Sequence, residues 1–380
     1  MKEFREQLAD YFRRLDKTLI LAALACSVLS VVLLNSIYVN DVLDIGADDG
    51  ITQAVAAVIG FAAMITVSAL DFHKFTKLWY IYVPVILLMV VLTFTSLGYQ
   101  REGADDQAWL NLGFISIQPS EFLKIVFIMT FSLHLSKDEA NMNHPLHMLL
   151  LLLHGAVPLG IVVLQGDYGT AVVFAMMMIM MLMMANIAWQ YVAAAMVAIP
   201  AAVWVIWNYV LGDLHKNRIL VLLNPGTDPE GLEYQQDLGL TALASGKIFG
   251  VGVYSGDEYI SVPEVHNDFI FAYVGETLGF VGAMAVVLVL TLLCMRVLLD
   301  GLRLPDRQGM LICMGVFAML LTHCVMNIGM VLKVMPVIGI PLPFLSAGGS
   351  ATLSMYIALG LVLSARLHSV RPPKVLFDPE

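Results

Sequence analysis

One polar run in an otherwise apolar chain carries the residue types of a catalytic site: Pro263-Glu264-Val265-His266-Asn267-Asp268, directly ahead of a long apolar segment. Asp268 has two readings. Asn267 or Asp268 can cap the helix that follows, where both types are favoured and the helix dipole stabilises a carboxylate. Alternatively, a carboxylate at the lipid–water boundary meets the headgroup of a lipid-linked substrate. Partial desolvation raises its pKa, which suits a general base. Glu264 and His266 stand beside it as substrate-binding candidates. Glu276 falls about 12 Å deeper along the same helix. An ionisable group at that depth is costly, so it either serves function or hydrogen-bonds neighbouring helices.

A second constellation is QPSEFLK, 118–124. Pro119 in a first turn, with Gln118 before it and Glu121 at the third position, predicts a helix start. Lys124 follows one turn later, inside the outer half of an apolar span. It either snorkels or points into a cavity where an anionic headgroup is its natural partner. Gln118, Glu121 and Lys124 are therefore substrate-binding candidates.

The third is NIGMVLKVMPVIGIPLPFLSAGGSATLSMY, 327–356. Its prolines, Pro341 and Pro343 among them, and its glycines interrupt an apolar run. Irregular backbone at membrane depth survives only inside protein or beside a wet cavity. The N–H groups near Ser346, Gly348, Gly349 and Ser350 precede a helix and are placed to bind an anion. Other signals are weaker. GVG at 250–252 follows no strand and is no nucleotide fingerprint. The run MMMIMMLMM reads as flexible apolar packing. No histidine pair has the spacing of a metal-binding helix face, and His323 reads as an interhelical hydrogen bonder. Nothing demands a cofactor, although a divalent cation is compatible with an anionic substrate.

The elements that must position these residues follow from composition. Hydrophobic residues make up 59% of the 380 and charged residues 13%, with a mean hydropathy of +0.82. A soluble chain of this length cannot hide that much apolar surface. Runs long enough for a ~30 Å hydrocarbon core occur at about 18–39, 51–70, 78–98, 120–136, 145–164, 168–187, 190–211, 268–298, 309–334 and 345–366. The prediction is an all-α, polytopic membrane bundle of about ten helices, since lipid requires every backbone polar group to be satisfied internally. The segment 1–17 is an amphipathic cytoplasmic N-terminus without a cleavage site, and 367–380 a cytoplasmic tail. Most Lys and Arg collect at the ends that share a side with both termini, which predicts that those ends are cytoplasmic. The exceptions are Arg101, Lys124, Lys216, Arg218, Lys247 and Lys333.

Two outer loops are long, 99–119 and 212–267, the latter between the seventh and eighth spans. Long loops on one face of a bundle cover or build a site. The formal charge of −10, with Asp41, Asp44, Asp48, Asp49, Asp105 and Asp106 on outer loops, argues against nucleic acid as a partner. All four cysteines lie in predicted spans, which argues against a disulfide framework or a zinc site.

In this order the constellations resemble the SEDS family (shape, elongation, division and sporulation), most closely its RodA branch. The matching strings are WLNLGFISIQPSEFLKI (109–125), LQGDYGTAVV (164–173), RILVLLNPGTDPEGLEYQ (218–235), PEVHNDFIFAYVGETLG (263–279) and NIGMVLKVMPVIGIPLPFLSAGGSA (327–351). The resemblance implies a peptidoglycan glycosyltransferase of the bacterial plasma membrane. Such an enzyme polymerises lipid II beside a class B penicillin-binding protein, with lipid II, polyprenyl-linked glycan and membrane lipid as further partners. It places the family's essential aspartate on Asp268 and favours the general-base reading. Lys124 and Arg218 then become cations for the pyrophosphate, Lys333 a further substrate-binding cation, and Asp167, Glu276, Pro341 and Pro343 structural or coupling positions.

The chain departs from the family pattern in several places. Ala108 stands where Arg is usual before the Trp, with Arg101 the nearest basic residue. Asn267 replaces Thr, Gly166 replaces Pro and Lys333 replaces a small residue. Two other readings remain from the residues alone. A flippase of lipid-linked precursors would depend on deep charges such as Glu276, and a scaffold that activates a penicillin-binding protein would not need Asp268.

Overall fold

The computed structural model describes residues 6, 10–43, 48–100, 106–111, 113, 116–137, 142–224, 226, 231–255 and 259–369. Arg101, Asp44, Asp105, most of the NPGTDPEG turn and the tail beyond residue 369 lie outside them, as does most of the segment before residue 10.

Each predicted apolar run falls on a helix. These are α1 Lys17–Val39, α2 Asp48–Ala69, α4 Trp79–Leu92, α5 Pro119–Lys137, α6 Pro145–Leu164, α7 Tyr168–Met184, α8 Trp189–Val205, α11 Ile270–Arg303, α12 Arg307–Val331 and α13 Gly349–His368. A short α3, Phe72–Lys77, precedes α4, and a π-helical turn, Ile206–Val210, extends α8. Seven helices are long and apolar enough to cross a membrane, counting α8 with its π-turn, while α4 and α7 are shorter apolar helices. Polar caps set several boundaries. Asp16 accepts from Leu19 N at the start of α1, Asp71 from His73 N at α3, Asp167 from Thr170 N at α7 and Asp306 from Gly309 N at α12. Each satisfies an N–H that the first turn leaves without a helical partner.

The helices α12 and α13 form the centre, with 78% and 72% of their apolar windows buried, whereas that of α8 has none. An apolar helix with no buried face needs lipid as its solvent. At the far end of α11 from residue 270, Asp16 receives Arg296 and also Arg366 Nη1 at 2.7 Å, and Arg366 reaches Asp300 at 2.8 Å. Burial alone would push the Asp16 carboxyl up. The hydrogen bonds from Arg296 and Leu19 N–H, with the charges of both arginines, hold it below the usual carboxylate range. This cluster ties α1, α11 and α13 together.

Three features go beyond the sequence expectation. The loop before α5 carries a small antiparallel sheet, β1 Gly98–Tyr99, β2 Trp109–Asn111 and β3 Ser116–Ile117, in the order β1-β2-β3. Tyr99 pairs with Trp109, and Leu110 with Ile117. The long segment between the seventh and eighth spans holds two helices, α9 Asp213–Leu223 and α10 Leu232–Ser245. The third is a break in α11 at Gly279, with φ 67° and ψ −170°. Segment 247–252 pairs with the freed backbone there: Val251 N–H donates to Glu276 O, Gly252 N–H to Thr277 O, Phe280 N–H to Lys247 O and Val281 N–H to Ile248 O. A break inside an apolar helix is tolerated when protein backbone satisfies it in this way.

Candidate active site

A cleft of about 400 Å³ opens where α5, α7, α11 and α13 begin. The turn 264–268 forms one wall and residues 337–341 the facing one. Gln118 and the 166–169 segment form a third side, with His215 and Arg218 of α9 and Gly348 ahead of α13 completing it. Glu264, His266, Asp268, Gln118, Asp167, Arg218, Pro341 and Gly348 all line it. Six stretches of chain, from Gln118 to Gly348, thus converge.

The helix behind Asp268 starts at Ile270, its N-cap is Phe269, and the N-cap residue makes no side-chain capping bond. Asn267 instead turns its amide to Glu264 Oε2 at 2.8 Å and to His266 Nε2 at 3.0 Å. The Asp268 carboxylate faces Gly339, where an added Cβ would lie 3.5 Å from Oδ2. Gly339 has φ 68°, a left-handed conformation that glycine adopts without strain. The left-handed backbone of this wall, and not the space beside the carboxylate, is therefore what favours glycine at 339.

On the third side, Gln118 donates its backbone N–H to Ser350 Oγ at 3.2 Å. Asp167 is buried, and burial pushes its carboxyl up. Hydrogen bonds from Thr170 and the charge of Lys124 draw it back only in part. His215 packs edge-on against Tyr168 with ring centroids 4.3 Å apart, so α9 leans on the start of α7.

Other expected site residues lie elsewhere. Lys124 does not enter the cleft. It is fully buried beneath it, with Nζ 2.8 Å from Glu121 Oε1 and 3.0 Å from His323 Nε2, and Ser354 Oγ donates to Glu121 Oε2 at 2.7 Å. An uncompensated charge at that depth is too costly, so the pair forms inward. His323 carries the chain of contacts on: its Nδ1 meets Pro341 O at 3.0 Å, on the cleft wall.

Lys333 also stays outside the cleft. It bridges to Asp237 and to Glu233, fastening the end of α12 to α10. Nor are the N–H groups of the 346–350 stretch all open to an anion. Those of Ser346, Ala347 and Gly348 go to Leu342 O, His266 O and Gln53 Oε1 respectively. Ser346 Oγ serves Asn267 O, Gly349 and Ser350 begin α13, and Pro343 is buried behind the wall. Glu276 lies deeper, accepting the Ile260 N–H at 2.9 Å. Ala108, where the family pattern has arginine, is fully buried.

Sequence reasoning overlooked Asn327, His215, Tyr168 and Trp109. Asn327 had a signal, being a polar amide near the end of an apolar run. Trp109 and Tyr168 stand inside the matching strings without being singled out there, and His215 had no signal, because only the tertiary fold brings it to the cleft. Among the described residues, no group of three or more His, Cys, Asp or Glu side chains is arranged to hold a metal ion.

The family of cell cycle proteins designated FTSW_RODA_SPOVE matches residues 14–370. The chain belongs to this family. Family relatives include the peptidoglycan glycosyltransferase MrdB of Escherichia coli (strain K12), 29% identical over 359 residues, covering 93% of this chain and 94% of that protein. Stage V sporulation protein E of Bacillus subtilis (strain 168) is 32% identical over 330 residues, 83% of this chain and 86% of that one. Among solved structures, a chain of a peptidoglycan synthase complex superposes with a TM-score of 0.79 at 24% identity, covering 94% of this chain and 99% of that one. The rod shape determining protein RodA of Thermus thermophilus gives 0.68 at 22% identity, covering 94% and 98%. The family fold and the apolar helices make the chain a multi-pass membrane protein.

Proposed function

We propose that this chain is a peptidoglycan glycosyltransferase that polymerises lipid II at the outer face of the bacterial plasma membrane, with Asp268 as general base. The observation that carries the reading is the position of Asp268. Its carboxylate lines a cleft that also contains Arg218 and Gln118. Family membership and the names of the relatives supply the reaction class.

The donor MurNAc C1 bears an α-linked pyrophosphate, and the product linkage is β, so one displacement with inversion suffices. The 4-hydroxyl of an acceptor GlcNAc attacks C1 and its proton passes to Asp268. The C1–O bond breaks, and polyprenyl pyrophosphate leaves with the electron pair. A pyrophosphate needs no proton to depart, so a single carboxylate serves, in contrast to the two of glycoside hydrolases. Arg218 stabilises the charge that develops on the leaving group. The polyprenyl tails remain in lipid between helices, which is why such a site belongs on a membrane bundle. A class B penicillin-binding protein is the proposed partner that cross-links the product.

The test is polymerisation of lipid II by the purified protein with its cognate penicillin-binding protein, comparing wild type with Asp268→Asn. Glycan strands from wild type and none from the folded variant are expected. Polymerisation by the variant would remove Asp268 from the chemistry. Failure of both in an assembled complex would favour a scaffold or a flippase.

A further inference from the structure

Three consecutive carbonyls ahead of α11 each receive a donor from another part of the bundle. His266 O accepts the Ala347 N–H at 2.8 Å, Asn267 O accepts Ser346 Oγ at 2.6 Å, and Asp268 O accepts Asn327 Nδ2 at 2.8 Å. The third donor differs from the others in reach. The same Nδ2 also donates to Ile340 O at 2.8 Å, one hydrogen to each carbonyl. Ile340 directly follows Gly339, the residue that faces the Asp268 carboxylate. One amide group therefore fastens both facing walls of the cleft to α12.

Asn327 is fully buried, and its Oδ1 has no hydrogen-bond partner among the described residues. A buried acceptor without a partner costs stability, and a side chain that merely filled this space would be better apolar. What the amide retains is the bridge. His323, one turn earlier on α12, holds Pro341 O in the same way. The helix thus grips two successive carbonyls of one wall and, through Asn327, the main chain of Asp268 on the other.

We infer that Asn327 is a positioning residue of the active site: by tying Asp268 O to Ile340 O it sets the width of the cleft at the base. The inference rests on the glycosyltransferase reading above. Proton transfer requires the base within hydrogen-bond reach of the acceptor hydroxyl. A displacement of about 1 Å is enough to cost roughly 100-fold in rate. Asn327 acts through the main chain and does not touch substrate.

The experiment uses full-length Asn327→Asp, which keeps the size but lacks the donor pair, and Asn327→Ala. Three readouts are taken: steady-state polymerisation of lipid II, thermal melting, and the rate at which a carbodiimide labels Asp268, followed by mass spectrometry. The expected result is a kcat lowered roughly 100-fold with KM for lipid II within about twofold, in a protein that still melts cooperatively. The Asp268 labelling rate should change as well. Retained kcat, or unchanged labelling, overturns the inference. Loss of folding in both variants would make Asn327 structural only, and overturns it equally. A wild type that polymerises nothing would defeat the glycosyltransferase reading, while the labelling comparison would still decide the role of Asn327.

Discussion

The side-chain amide of Gln118 donates to Asp167 Oδ2 at 3.1 Å, joining the residue ahead of α5 to the residue ahead of α7 at the edge of the cleft. Asp167 Oδ1 meanwhile accepts the Thr170 N–H at 2.9 Å. A single buried carboxylate therefore holds two helix starts in register, and both of these residues line the cleft.

That role has a pH signature. Burial raises the Asp167 carboxyl above its ordinary value, so between the unfolded and folded pKa the native state binds more protons than the unfolded one. Stability then falls as pH rises through that window, starting near about pH 4. Asp167→Asn keeps an acceptor for Thr170 and removes the titration. Its melting temperature in detergent should be less dependent on pH over that window than that of wild type. Equal slopes would show that Asp167 is not the source. Asp16 has the opposite sign, since its lowered carboxyl adds stability above the unfolded pKa that is lost as pH falls through the folded one.

The buried pair of Lys124 and Glu121 makes a second prediction. Lys124→Met leaves the Glu121 carboxylate buried without its cation, which should cost about 3–5 kcal/mol. The double change Lys124→Met with Glu121→Gln removes both charges and should recover much of that loss. Chemical denaturation of the four proteins as a double-mutant cycle measures the coupling. Additive losses would mean that the pair is not coupled.

The apolar runs made the helices legible, because a span needs only about 20 residues of the right composition. The polar runs at 118–124 and 263–268 likewise announced the cleft, since ionisable groups in an apolar chain are conspicuous. What composition could not convey was which way those groups turn. Lys124 and Gln118 are six residues apart on one segment, yet one is buried against Glu121 and the other lines the cleft. The break at Gly279 was hidden for a related reason. Its hydrogen-bond partners come from 247–252, a segment whose proximity no local pattern encodes.

Gly279 is testable on its own. At φ 67° and ψ −170°, a Cβ there would come within 2.3 Å of Gly250 N and 2.6 Å of Ile248 O. Only glycine suits this backbone region, and the strain for other residues is about 1–3 kcal/mol before any clash. Gly279→Ala should therefore lower stability by about 2 kcal/mol or more, read as a shift in the melting temperature. A neutral substitution would mean that α11 can close its break without the 247–252 segment.

Finally, two of the three cations that the family resemblance assigned to substrate binding should separate by function. Arg218 lines the cleft with Asp268, whereas Lys333 is paired with Asp237 and Glu233 on α10. Removing a charged donor that contacts a phosphate costs about 1.5–3 kcal/mol, or roughly 10- to 100-fold in an equilibrium or rate. Arg218→Ala should therefore lower kcat/KM for lipid II by that factor. Lys333→Ala should leave kcat/KM within about twofold, because a partly exposed ion pair on one end of a helix contributes little. The comparison needs both variants in the same polymerisation assay. A large loss in Lys333→Ala, with Arg218→Ala near wild type, would place the pyrophosphate against α10 and not in the cleft beside Asp268.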